Sequence, residues 1–275
     1  MNTSTDSELK FIEDLSQFDF TSNPHGVTHI LCIGGSLSFL LDHIRYNISE
    51  RDYVIMTAGV FPSDFCLSED CRVITLSFPD SMMDRETIKN NYGVIGHLSL
   101  LQDPVIKLSE DDFISCREDL IRLHDKQMKP HLFKEEVIGT LLKAHVLDLY
   151  NIHAQTHPEF TEGGRPAIML RNFISILLQG DYKENRIVDY YADKLCVDPH
   201  YLTEVCRRFT HQPASYWINR FTIRELSSLM ADPALTFDEI AFRMNFSSVS
   251  YFSRYVKKHI GITPSQFRKS LRNSR

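Results

Sequence analysis

The chain has 275 residues, 43% of them hydrophobic and 24% charged, with a formal net charge of −6. That length holds one large or two ordinary domains, and no apolar run approaches the ~20 residues needed to cross a bilayer, so no membrane-spanning helix is expected. Residues 1–164 carry 13 Lys and Arg against 26 Asp and Glu, net −13, and residues 165–275 carry 17 against 10, net +7, as expected of an acidic body joined to a nucleic-acid-binding module.

From Thr28 to about Phe78 the pattern is short and strand-like: HILCI, a turn at Gly34 and Gly35, SLSFLLD, YVIMT at 53–57, a turn at Pro62, and RVITLSF at 72–78. Strands of this length separated by Gly, Pro and Asp turns predict a small sandwich or barrel. The run IRYNISERDYVIMTAGVFPSDF resembles a cupin-like sensory barrel, although Arg51 stands where its usual turn has Gly. Phe39, Leu41, Tyr53, Ile55 and Phe65 are the candidate lining of an effector pocket, and would equally fill a dry core. A metal-dependent cupin enzyme needs an HxH followed closely by Glu. His25, His29 and His43 do not have that spacing, so no metal, no cofactor and no catalytic residue is expected. The six cysteines, at 32, 66, 71, 116, 196 and 206, form no CxxC pair and follow no signal peptide, which reads as reduced thiols of a cytoplasmic protein.

Residues 111–127 and 131–156 switch to helical period. Phe113, Cys116, Leu120 and Leu123 form one stripe; Phe133, Val137, Leu141, Leu142, Val146 and Leu149 form a broader one. Two antiparallel helices packed on the barrel satisfy both, and the broader stripe is wide enough to serve a partner chain as well. HPEFTEGGRP at 157–166 has linker composition. The expected domains are therefore 1–157, a linker at 158–166, and 167–275.

Past the linker, Pro166 to Gln179 predicts a helix through Ile168, Phe173, Ile176 and Leu177, and Ala214 to Met230 a longer one buried through Trp217, Ile218, Phe221, Leu226 and Met230. Thr236 with Glu239 is a capping box ahead of Ile240, Ala241 and Met244. Asn245 follows as a residue that tolerates a left-handed backbone. Ser247 or Ser248 caps a second helix that stops at Gly261, and Thr263, Pro264 and Gln266 open a closing one. The segment is duplicated: Ala192, Leu195 and Val197 align with Ala241, Met244 and Phe246 at an offset of 49, and Leu202, Arg207, His211 and Trp217 align with Phe252, Lys257, Gly261 and Phe267 at 50. Each copy reads as a helix-turn-helix, and the long helix between them holds the two apart.

The run IAFRMNFSSVSYFSRYVKKHIGITPSQFR resembles the signature of the AraC family of bacterial transcription regulators, with Asn245, Val256 and Phe267 where Gly, Phe and Tyr are usual. The fold class expected is therefore α+β: a cupin-like β-barrel with two flanking helices, then an all-α module of about seven helices with two helix-turn-helix units. The resemblance implies double-stranded DNA as partner, a homodimer through the flanking helices, contact with RNA polymerase and a small-molecule effector. Spacing on the first recognition helix leaves His200, Thr203 and Glu204 outward near its N-terminal end, where base edges are read; Glu204 suits a cytosine amino group. Arg207 and Arg208 suit phosphates. On the second helix Ser250, Ser253 and Arg254 occupy the matching positions, Val249 suits a thymine methyl, and Lys257 and Lys258 suit the backbone. Two rival functions keep the DNA module: a ligand-free barrel that only dimerises, and a cupin-type metal enzyme fused to it.

Overall fold

The structure, a computed structural model, describes residues 8–18, 20, 26–41, 44–57, 62–79, 82, 100, 103–156 and 164–273. The chain forms two compact units, one holding His25–Pro158 and the other Glu159–Arg275. His25, His43, His157 and residues 158–163 of the expected linker lie outside the described residues.

Unit 1 contains β1 (Lys10–Ile12), β2 (Gly26–Gly34), β3 (Ser36–Leu41), β4 (Ile44–Ser49), β5 (Asp52–Met56), β6 (Ser63–Leu67), β7 (Arg72–Pro79), β8 (Val105–Lys107), α1 (Glu110–Met128) and α2 (Lys134–Thr156). The expected barrel is realised as two sheets, a five-stranded one in the order β1-β7-β2-β5-β8 and a three-stranded one in the order β4-β3-β6. Every ladder among the described residues is antiparallel. Gly35 makes the turn from β2 to β3 with φ +66°, and a Cβ there would lie 2.7 Å from the Asp70 backbone, so glycine is required twice over. Arg51, where the resembled barrel has Gly, is left-handed too, at φ 71°. Asp52 closes that turn: its carboxylate accepts from Ser49 N at 2.8 Å and from Lys107 Nζ at 2.7 Å.

The register sorts the five-stranded sheet into two faces. His29 pairs with Ile55 and Leu76, and Leu31 with Tyr53 and Ile74, so these six share one face. Thr28, Ile30, Val54, Met56, Thr75 and Ser77 share the other. Both faces are buried apart from Ile74, which is half-buried. The helices cover the first: Tyr53 reaches His145 on α2, and Phe11 on β1 packs edge-on against His124 of α1 at 4.9 Å. The second faces the three-stranded sheet, where β2 approaches β4 and where Leu37, Phe39, Leu41 and Ile48 are buried. The α1 stripe holds at Cys116, Leu120 and Leu123, with Phe113 only half-buried. On α2 the buried set begins at Ile138, while Phe133 is exposed and Val137 and Leu141 are half-buried. The α2 stripe is thus one residue out of phase with the expected one at its start.

Unit 2 contains seven α-helices among the described residues: α3 (Arg165–Leu178), α4 (Val188–Lys194), α5 (Pro199–Thr210), α6 (Ala214–Ala231), α7 (Phe237–Arg243), α8 (Val249–Ile260) and α9 (Pro264–Asn273). Because α3 starts at Arg165, the last two residues assigned to the linker are helical. Its buried face is Met169, Leu170, Phe173, Ile174 and Leu177, with Ile168 exposed and Ile176 half-buried. The long helix α6 is buried at Trp217, Ile218, Phe221, Leu226 and Met230, as its spacing predicts.

Candidate nucleic-acid interface

Two helix-turn-helix units are built alike, α4 with α5 and α7 with α8. In each, the first helix ends in the same pair of backbone bonds. Val197 N donates to Ala192 O at 3.0 Å and Cys196 N to Asp193 O at 3.0 Å; Phe246 N donates to Ala241 O at 2.8 Å and Asn245 N to Phe242 O at 3.0 Å. This C-terminal motif needs one left-handed residue, supplied by Cys196 at φ 53° and Asn245 at φ 48°. The second helix is then capped, by Asp198 accepting from His200 N at 2.8 Å and by Ser248 accepting from Tyr251 N at 3.1 Å. Of the two serines considered, Ser248 is the cap. The helices close on matching left-handed residues, His211 at φ 55° and Gly261 at φ 91°, whose N–H groups donate to Arg207 O and Lys257 O.

The recognition helices α5 and α8 show the same succession of burial. Leu202, Val205 and Cys206 are buried as Phe252, Tyr255 and Val256 are. Burial pushes both the Cys206 thiol and the Tyr255 phenol up to about 12. Outward stand His200, Glu204, Arg207 and Arg208 on α5 and Ser250, Arg254, Lys257 and Lys258 on α8. Thr203 and Ser253 sit half-buried at the edge of this face, and Val249 is half-buried at the start of α8. Glu204 and Arg207 are joined to each other, Arg207 donating at 2.7 Å. Both are about half exposed, and such an i,i+3 pair contributes only about 0.2–0.5 kcal/mol, too little to lock either group in place.

Two outward residues escaped the sequence reading. Tyr201 and Tyr251 occupy equivalent positions in the first turns of α5 and α8 and are 46% and 44% exposed. Helical spacing alone lets either Tyr251 or Phe252 join the apolar stripe of α8, and Phe252 is the buried one. Alignment of the two copies carries the missing signal, because Tyr201 falls on Tyr251 at the same offset of 50. The second omission is Arg186, just before α4. Its guanidinium donates to the carbonyls of Tyr182, Lys183, Met244 and Asn245 at 2.7–3.1 Å and lies 4.2 Å from the centre of the Phe246 ring. Burial lowers its pKa from the ordinary arginine value.

The five candidate pocket residues do not converge. Phe39 stacks on Tyr46 at 5.4 Å and meets Phe65 at 5.6 Å within the three-stranded sheet, which also carries Leu41. Tyr53 and Ile55 point to the helix-covered face of the other sheet. The Tyr53 hydroxyl is bonded to His29 Nδ1 at 3.0 Å and His145 Nε2 at 2.8 Å, and His145 Nδ1 reaches Asp119 at 3.1 Å. Burial holds the Tyr53 phenol well above its usual range; burial and then the neighbouring His145 hold the His29 imidazole well below its own. On the opposite, inter-sheet face the Thr75 hydroxyl is buried without a hydrogen-bond partner among the described residues. No group of three metal-ligating side chains occurs among the described residues, and no helix among them is long and apolar enough to cross a membrane.

Residues 191–270 match the family described as a helix-turn-helix domain. The Msm operon regulatory protein of Streptococcus mutans is 27% identical over 103 residues, 38% of this chain and 37% of that one. An uncharacterised HTH-type transcriptional regulator, YdiP of Escherichia coli, is 25% identical over 104 residues, 36% of this chain and 33% of that one. The chain thus matches about a third of these relatives' length. Among solved structures, ToxT of Vibrio cholerae aligns over 89% of this chain and 90% of its own with a TM-score of 0.49 and 15% identity. The resemblance of the back half to AraC-type domains holds, and residues 191–270 are a helix-turn-helix domain of that kind.

Proposed function

We propose that the chain, whose residues 191–270 are an AraC-type helix-turn-helix domain, is a sequence-specific transcription regulator that reads double-stranded DNA with α5 and α8 together. One observation carries this reading: two recognition helices with the same buried core and the same outward positions, cationic at the C-terminal end of each. His200, Thr203, Glu204, Val249, Ser250, Ser253 and Arg254 contact bases, with Tyr201 and Tyr251 beside them; Arg207, Arg208, Lys257 and Lys258 hold phosphates. Such a protein works in the cytoplasm, contacts RNA polymerase and needs no catalytic group.

The same reading makes it a homodimer controlled by a small molecule. On α1, Ile114, Ile121 and Met128 recur every seven residues and are 48%, 47% and 70% exposed. An antiparallel pairing centred on Ile121 sets Arg117 against the partner's Asp125 and Glu118 against the partner's His124, the self-complementarity a two-fold interface requires. For the effector, the unpartnered Thr75 hydroxyl between the sheets marks a place where a ligand's polar atom supplies the missing bond.

The test is protection of promoter fragments by the full chain, with and without candidate metabolites and across a salt series. Four phosphate-binding cations predict a slope of log affinity against log salt of about −3.6 or steeper. Absence of any protected fragment, or an affinity indifferent to salt, contradicts the DNA-binding reading. A metabolite-independent footprint favours a ligand-free first domain instead.

A further inference from the structure

The two reading units are fastened to each other at a second place besides α6. The segment before α4 is tied firmly to the first unit: Asp181 accepts from Tyr190 at 2.7 Å and from Lys194 at 2.5 Å, and the Tyr191 hydroxyl donates to Asn185 O at 2.8 Å. From this anchored segment Arg186 reaches into the turn of the second unit. There it donates to Met244 O at 2.7 Å and Asn245 O at 2.9 Å, the C-cap of α7 and the left-handed residue that follows it. Helix-terminal carbonyls lack partners within the helix and favour a cation, so the guanidinium caps α7 from outside its own unit. The Phe246 ring completes the seat, and the Asn245 side chain returns a bond to Glu184 O at 3.4 Å.

We propose that Arg186 is a positioning residue that fixes the separation and angle of the two recognition helices, and so sets the base-pair spacing between the two DNA sites they read. This rests on the proposal that α5 and α8 both enter the major groove. The planar fork of arginine serves several carbonyls at once, whereas a lysine is a point donor on a flexible stem. The single helix α6 joins the units at one side; with Arg186 they are held at two places, which removes a hinge. A misplacement of one base pair rotates a site by about 34–36° around the duplex, and a rigid pair of readers cannot follow it.

The experiment uses the full chain and a DNA site obtained by selection with the wild-type protein. Affinity is measured for that site and for versions with one base pair inserted or removed between its two halves. Wild type should lose at least ~10-fold for either change, while Arg186→Ala should lose no more than ~3-fold and keep its salt dependence. Arg186→Lys should fall between. Arg268→Ala is the control: Arg268 donates to Met230 O and Leu235 O, so its loss loosens the second unit without touching the Arg186 seat. It should weaken binding while leaving the spacing penalty at the wild-type level. If Arg186→Ala does not fold, Arg186→Lys and Arg186→Met carry the comparison. A folded Arg186 variant with the wild-type spacing penalty overturns the proposal. So does one that loses all spacings equally, since Arg186 would then be a DNA contact. A wild-type protein that binds no DNA, or ignores spacing, overturns instead the two-helix reading beneath it.

Discussion

The two helix-turn-helix units share a backbone plan but differ in how well their residues suit it. The second unit has a full capping box, with Thr236 and Glu239 each accepting from the other's backbone N–H, and places Asn245 and Gly261 at its two left-handed positions. The first unit has Cys196 and His211 at those positions, where a side chain other than Gly or Asn costs about 1–2 kcal/mol. The reading faces differ in the opposite sense. The second presents Arg254, Lys257 and Lys258 with no carboxylate among them; the first presents His200, the mutually paired Glu204 and Arg207, and Arg208. The better-fitted unit therefore carries the less discriminating charge, which suits an anchor. The strained unit carries the mixed donors and acceptors, which suits the proposed role of selector.

Core truncation should test the comparison most severely. Phe252→Ala empties the fully buried position of α8 and should cost about 3–5 kcal/mol; Leu202→Ala at the equivalent place on α5 should cost about 2–5 kcal/mol. Urea unfolding of unit 2 measures both. Because α6 is packed into both units, each variant should lower one shared transition; two separate transitions would show that the units fold independently. Next in size come the reading residues. Arg254→Ala should cost about 1–3 kcal/mol of binding, and Lys257→Ala should weaken all sequences alike and make the salt slope shallower by about 0.9. Glu204→Ala should do the reverse, changing base preference more than affinity. A Glu204→Ala profile identical to wild type removes α5 from the role of selector. The smallest effects are conformational. His211→Gly should raise stability by up to about 1 kcal/mol by relieving a left-handed residue, and Gly261→Ala should lower it by about 1–2 kcal/mol for φ alone, since no atom lies within 4 Å of the added Cβ. If thermal melting finds the two changes alike in sign, the asymmetry between the units is not one of strain.

Much of unit 2 was legible because short helices announce their ends. Ser248, Thr236, Thr263 and Gly261 are residue types with a mechanism for starting or stopping a helix, and all act where the sequence places them. Cys196 was not legible as a left-handed residue, since nothing in a cysteine signals that role; only its alignment with Asn245 does. Arg186 was invisible for another reason: its acceptors at 244 and 245 lie 58 and 59 residues away, and periodicity carries no information over that separation. In unit 1 the sheet residues were recognised but assigned to the wrong company. Every residue of β5 is buried, because helices cover one face and the second sheet the other. A strand buried on both faces has no alternation to say which way Tyr53 points. The helical stripes at α2 and α3 slipped for a related reason, as runs rich in Ile and Leu fit more than one phase.

The central claim, that one chain reads DNA with two coupled and unequal helices, is met most directly by selection of binding sites from a random-sequence pool with the full chain. The account predicts an enriched site of two parts about one helical turn, roughly 10 base pairs, apart, with one part losing definition in Arg254→Ala and the other in Glu204→Ala. Enrichment of a single short motif, sensitive to only one of these substitutions, would contradict it.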